Sequence, residues 1–255
     1  MKIQTILEHS LFLRREKKFQ QAFEHVSLAI APNSPHASLI WQHNPIFWSD
    51  ISAGACVLTR RNSDDHAFIK AIFSEPGFGR SFHRNSNPIP EDTLLLQKIL
   101  DEEMVSTLFE SRALHWVIRD AKRQPWGLLS LCDMSLTHRR SEVLLGMLPH
   151  APFGLTASAM LILYEFYFKF MKFNKLNSFV YKDNPRSLKS TLHLGFEVEG
   201  ELIKHNLDPE TGEFLDVIQL GLNRNWAFSE KNQRLARKLL ESSRPPSFDP
   251  DDNDV

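Results

Sequence analysis

"LPHAPFGLTASAMLILYEFYF", residues 148–168, decides how this chain is read. It starts as a loop with two prolines and one glycine, then becomes an apolar run with helical spacing. A small-residue loop feeding a helix N-terminus gathers backbone N–H groups at one point, an arrangement that suits a phosphate. This loop has one glycine where such loops usually have two or three, and it has no lysine or arginine. The run continues to Phe173, but Thr156, Ser158, Glu165 and Lys169 interrupt it, so a buried helix is expected rather than a membrane span.

The 255 residues fit one large domain, or one domain with an appendage. A hydrophobic share of 42% and a charged share of 24% belong to a globular chain. Thirty Lys and Arg against thirty-one Asp and Glu leave no overall field that would favour nucleic acid or an anionic membrane. The two cysteines, Cys56 and Cys132, lie in strand-like apolar runs and read as buried free thiols. The eleven histidines share no metal-ligand spacing with cysteines or acids, so no metal is expected. The basic N-terminal cluster lacks the apolar core of a signal peptide, and a cytoplasmic protein is expected.

Outward from the central stretch the chain alternates elements. On the N-terminal side, "ALHWVIRD" and "WGLLSLCDM" read as a hairpin and "SEVLLGML" as a third strand. Further upstream come a helix over residues 91–104, the loop "GFGRSFHRNSNPIP", a helix over 64–73 and a strand over 55–59. "HNPIFWSDISAG" reads as a connector. Residues 3–43 read as a helical pair, one helix ending at Pro32 and the next starting after Pro35. Ala22 and Ala29 in the first helix give the pair a resemblance to one tetratricopeptide repeat. A single repeat cannot bury its own face, so the pair is expected either to brace the rest of the chain or to bind a partner. On the C-terminal side, "LNSFVYK" is a strand, "NPRSLKSTLHLG" a short helix, and "FEVEGELIKHNL" and "EFLDVIQLGL" a last hairpin. The charged, proline-containing tail is expected to be disordered. The expected division is therefore a helical extension at 1–50, a main domain at 51–230 and a tail at 231–255.

This order of elements resembles the GNAT superfamily of acyltransferases, and more narrowly the branch that acetylates ribosomal-protein N-termini and small amines. The most specific stretch is "NPRSLKSTLHLGFEVEGEL", similar to the branch's pattern at Asn184, Ser187, Gly195, Phe196 and Gly200. Asp216 and Trp226 also fall at the branch's usual places. The resemblance implies an α+β fold, with a central, mostly antiparallel twisted sheet flanked by helices, plus the N-terminal helical hairpin. It also implies transfer of an acyl group from acyl-CoA, acetyl-CoA or longer, to a primary amine of a peptide, protein or small molecule. The protein would be a monomer or homodimer.

The resemblance assigns the opening loop to the pyrophosphate of coenzyme A. Ala151 stands where Arg or Gln is usual, Gly154 matches, and Thr156 takes the second small position. Phe153, Gly154, Leu155, Thr156 and Ala157 would then hold the phosphates, and the backbone near Leu148 would supply the oxyanion donor. Asn184 and Ser187 would meet the pantetheine arm. Glu142 would be the general base, or else a surface acid paired with Arg139 or Arg140. Ser187 would protonate the leaving thiolate, or else simply open a helix. Thr191 stands where other branches place a tyrosine acid, which leaves Tyr181 as a substitute candidate. Phe78, Phe82, Arg84, Glu142 and Tyr181 are the candidate acceptor-side residues. The nineteen phenylalanines keep a long-acyl donor open, acting on a lysine or ornithine side chain of a ribosomal peptide. A carrier-protein donor and a fold without chemistry are the remaining alternatives.

Overall fold

The computed structural model describes residues 2–84 and 88–240. Its core is an eight-stranded sheet. The strands are β1 (Ile51–Ala53), β2 (Cys56–Arg60), β3 (Leu114–Asp120), β4 (Pro125–Ser135), β5 (Arg140–Met147), β6 (Lys175–Tyr181), β7 (Glu197–Leu207) and β8 (Phe214–Asn223). They are ordered β1-β2-β3-β4-β5-β6-β8-β7, antiparallel throughout except where β5 meets β6. The helices are α1 (Ile3–Arg15), α2 (Phe19–Ala29), α3 (Ala37–Gln42), α4 (His66–Ser74), α5 (Phe78–Phe82), α6 (Thr93–Val105), α7 (Leu108–Ser111), α8 (Leu155–Tyr164), α9 (Pro185–His193), α10 (Arg224–Ala227) and α11 (Glu230–Leu240).

Strand alternation divides the sheet between two cores. Val117 and Leu128 face one side, where Ile69, Ile72, Phe78, Leu96 and Leu100 of α4, α5 and α6 cover them. Trp116, Ile118, Leu129 and Leu131 face the other, beneath α8. Helix α8 is buried nearly all round, as an all-apolar helix requires. Its continuation, Glu165–Phe170, widens into π-helical turns and buries Phe166, Tyr167 and Phe168 in succession. The expected long helix to Phe173 is thus an α-helix followed by a π segment.

The N-terminal elements are built into this core. Phe19 stacks on Trp48 at 4.9 Å, and Phe47 meets Phe166 and Phe170 edge-on at 6.0 and 5.7 Å. Trp48 Nε1 donates to the Met104 carbonyl at 2.7 Å. The Arg14 side chain is only 1% exposed; it donates to the Val105 carbonyl and makes a two-pronged ion pair with Glu110, each N···O 3.0 Å. The helices that pair are α1 and α2, joined through Lys17 at φ 57°. The expected second helix after Pro35 is only the six-residue α3.

Two other expectations change. The connector contains β1, which forms a hairpin with β2 through the left-handed Gly54 at φ 59°. The tail expected to be disordered begins as helix α11, whose Leu235, Ala236, Leu239 and Leu240 pack on the main core. Residues 241–255 lie outside the described residues, as do 85–87 of the acceptor-side loop. Among the described residues, no helix is long and apolar enough to cross a membrane.

Candidate active site

The site forms where the sheet parts. Strands β5 and β6 pair only at Arg140–Lys175, Ser141–Leu176 and Glu142–Asn177. Beyond that point β5 runs on to Met147 and β6 to Tyr181 without pairing, so a wedge opens between them. Each strand then presents backbone polar groups that need a partner. The Leu148 N–H does not face this wedge, because it donates to the Trp126 carbonyl at 2.8 Å. Alternation along the strand turns the amides of Leu145 and Met147 the other way, towards the gap. Of the amides near Leu148 where an oxyanion donor is expected, that of Met147 faces the gap and that of Leu148 faces β4.

At the lip of the wedge, a cavity of about 300 Å³ gathers Glu142 and Leu144 of β5, Phe179 and Tyr181 of β6, and Asn184 and Ser187 at the start of α9. Phe82, His83, Asp133, His205 and Asn206 complete most of its wall. Chain-distant residues of the candidate set, Glu142, Ser187, Asn184, Tyr181 and Phe82, thus share one space. Burial pushes the Glu142 carboxyl up to about 7, and the Asp133 carboxylate adds to the rise. Among the described residues Glu142 makes no ion pair with Arg139 or Arg140, so the surface-pair alternative finds no support.

Asp133, Ser81 and Asn206 were not singled out from the sequence. Asp133 had a signal: it is a charge set inside the apolar run "LLSLCDM". It sits at φ 46° on a β-bulge, where β4 slips register between Cys132 and Ser135 and turns this side chain towards Glu142's strand. Burial lowers the basicity of His83.

Two acceptor-side candidates stand elsewhere. Phe78 is buried behind the wall, stacked on Phe82 at 5.4 Å. Both rings press on the backbone of Gly146, where an added Cβ would lie 2.7–2.8 Å from them. Arg84 is locked into structure: it pairs with Asp183 at 2.5 Å and Asp208 at 3.1 Å, and its guanidinium caps the Tyr181 ring at 4.1 Å. Arg80 joins Asp208 and Glu210, so the α5 loop is pinned to the β7–β8 turn. The Tyr181 hydroxyl accepts from Asn206 Nδ2 at 3.2 Å.

The loop before α8 turns through Gly154 at φ 84°, a conformation that favours glycine. Leu155 N–H bonds back to the Pro152 carbonyl at 3.2 Å, while Thr156 and Ala157 present first-turn amides without a backbone acceptor among the described residues. Phe153 is fully exposed and Leu155 buried. Leu239 of α11 lies over Gly154, 3.2 Å from where a Cβ would stand, and so braces the loop from behind. Asn184 Oδ1 accepts from the Ser187 N–H at 3.1 Å and caps α9, which leaves the Ser187 hydroxyl available to the cavity.

No family model matches the sequence, and no curated protein matches it. Solved structures do match in shape. Spermidine N-acetyltransferase from Vibrio cholerae, in complex with CoA and spermine, superposes with a TM-score of 0.58 at 18% identity, over 69% of this chain and 99% of that one. A chimera of the same enzyme gives 0.57 at 19% identity, over 69% and 99%; a point mutant gives 0.56 at 18%, over 69% and 97%. The fold is the GNAT fold. The neighbours' whole length lies within about two-thirds of this chain, so the additional third has no counterpart in them.

Proposed function

We propose that this chain is an N-acyltransferase that moves an acyl group, acetyl by default, from acyl-CoA to a primary amine by direct attack. The observation that carries this reading is Glu142: a carboxyl raised to about 7 at the lip of the wedge, in one cavity with Ser187. A base with a pKa near the operating pH is suited to taking a proton from an attacking amine. The thioester arm would lie in the wedge, with its carbonyl towards the Leu145 and Met147 amides, which can donate to the developing oxyanion. Glu142 takes a proton from the ammonium, and the freed amine adds to the thioester carbon. The C–S bond breaks as Ser187 passes its proton to the departing sulfur, and the remaining proton on the acylated nitrogen restores the Ser187 hydroxyl through solvent. The pyrophosphate would meet the Thr156 and Ala157 amides, where the helix dipole replaces the side-chain cation missing at Ala151.

The cavity wall holds two carboxylates, Asp133 and Glu142, and no lysine or arginine. It therefore suits an acceptor that is cationic before attack and carries no carboxylate beside its amine, such as a polyamine, a lysine-like side chain or a peptide N-terminus. The phenylalanines of the α8 region are buried in the main core, and Phe78 in the smaller one, so their number supports packing rather than a long acyl channel.

Two results test this reading. Ala157→Glu places a carboxylate on the first turn of α8, where it suits the helix but repels phosphate. It should weaken CoA binding at least tenfold by calorimetry with the melting temperature held; unchanged affinity would move the donor elsewhere. Ser187→Ala should lower turnover about 10²-fold with donor affinity nearly intact. Equal turnover would reduce Ser187 to a helix-front residue.

A further inference from the structure

Asn177 is a buried polar side chain next to the proposed base that has no role in the scheme above. It lies on β6 directly opposite Glu142, in the last paired position before the strands part. Paired residues of neighbouring strands project from the same face of the sheet, and strands lie about 4.8 Å apart. Asn177 shares this face with Phe179 and Tyr181, two and four positions on, both of which line the cavity with Glu142. The register therefore places Asn177 on the same face of the sheet as Glu142, one strand over.

Two observations make the pair unusual. Asn177 is 5% exposed, and its Oδ1 is buried without a hydrogen-bond partner among the described residues. An orphaned buried acceptor is costly, so a partner is expected. Glu142 likewise shows no hydrogen bond or ion pair among the described residues. Two acceptors side by side repel, and they become complementary only when the carboxyl carries its proton. Resting on the base role proposed for Glu142, we infer that Asn177 is a positioning residue whose Oδ1 accepts a hydrogen bond from the Glu142 carboxyl O–H once the amine has given up its proton.

The inference fits the surrounding charges. From β4, Asp133 and the Cys132 thiol face Glu142; from the α5 loop, His83; from β6 and β7, Tyr181 and His205. None is a cation fixed beside the carboxylate, so nothing in that set opposes the protonated form. On the outer side of Asn177, the Glu199 side chain lies over Gly221 and is paired with Lys175 at 2.6 Å, so it is not available to Oδ1 as a donor.

The test is a titration of the Glu142 carboxyl by carbon-13 NMR, in the whole chain, wild type against Asn177→Asp. The aspartate keeps the size of the amide but forces two carboxyls to share a proton, so the midpoint should rise by one pH unit or more. An unmoved midpoint would overturn the inference. Turnover supplies an independent arm: Asn177→Ala should cost about tenfold near pH 7 with the KM for acyl-CoA unchanged, and should cost nothing further in a Glu142→Gln background. The same loss in both backgrounds would make Asn177 a packing residue and overturn the inference. A fully active Glu142→Gln would instead overturn the base role, while the titration would still decide whether the two side chains are paired.

Discussion

Glu142→Gln should lower turnover by about 10²–10⁴ near neutral pH, because the amide keeps the size of the side chain but cannot take a proton. The sign of the pH dependence follows from the base having to be ionised. In the wild type, kcat/KM should rise with pH through about 7 as Glu142 loses its proton. The glutamine variant should lack that limb. Its deficit should also narrow at high pH, as lysine-type amines approach their own pKa of about 10.4 and need less help. A pH series of initial rates with a simple diamine acceptor checks both effects. Wild-type turnover with an unchanged profile would leave substrate positioning as the main catalytic device.

Removing residues 1–43 should have the largest effect on stability. The deletion takes away Phe19, which stacks on Trp48, and Arg14, which holds the Val105 carbonyl and Glu110. Loss of one buried phenylalanine costs about 3–5 kcal/mol, against a whole margin of about 5–15. Uncovering Trp48 would add apolar surface prone to self-association. The truncated chain should precipitate, or melt tens of degrees earlier in a thermal scan. A soluble truncation with full activity on a simple amine would instead give the helical hairpin a role in recognising the acceptor.

The strands next to the wedge were legible because β3, β4 and β5 are long enough for their composition and turns to speak. Glu142 was legible as a carboxyl opening an apolar strand, and Asn184 with Ser187 as a cap-and-helix signature. What escaped was short or depended on register. Strand β1 has three residues and α5 has five, below the length at which periodicity can be read. Helix α11 hides a narrow apolar stripe, Leu235, Ala236, Leu239 and Leu240, among five charged residues, and so looked like solvated tail. Arg84 looked like a ligand contact because its partners Asp183 and Asp208 lie about a hundred positions away or more. That the Leu148 amide faces β4 while the Met147 amide faces the gap depended on which strand claims which amide, and composition carries no trace of that.

Strand β7 has a consequence for the behaviour of the molecule in a crowded solution. As the last strand of an open sheet, it could act as a template on which a foreign strand adds, the route into open-ended fibrous assembly. It exposes Val198 and Ile203, which would invite that addition. Glu199 and Glu201 in its first half are held by Lys175 and Lys182, so a newcomer strand meets ion pairs there rather than an apolar edge. At Lys204 the backbone turns left-handed at φ 49° and the register with β8 slips between Leu202 and Asn206. With a further slip between Val198 and Gly200, a straight strand can follow this border only over short stretches before its hydrogen bonds fall out of step.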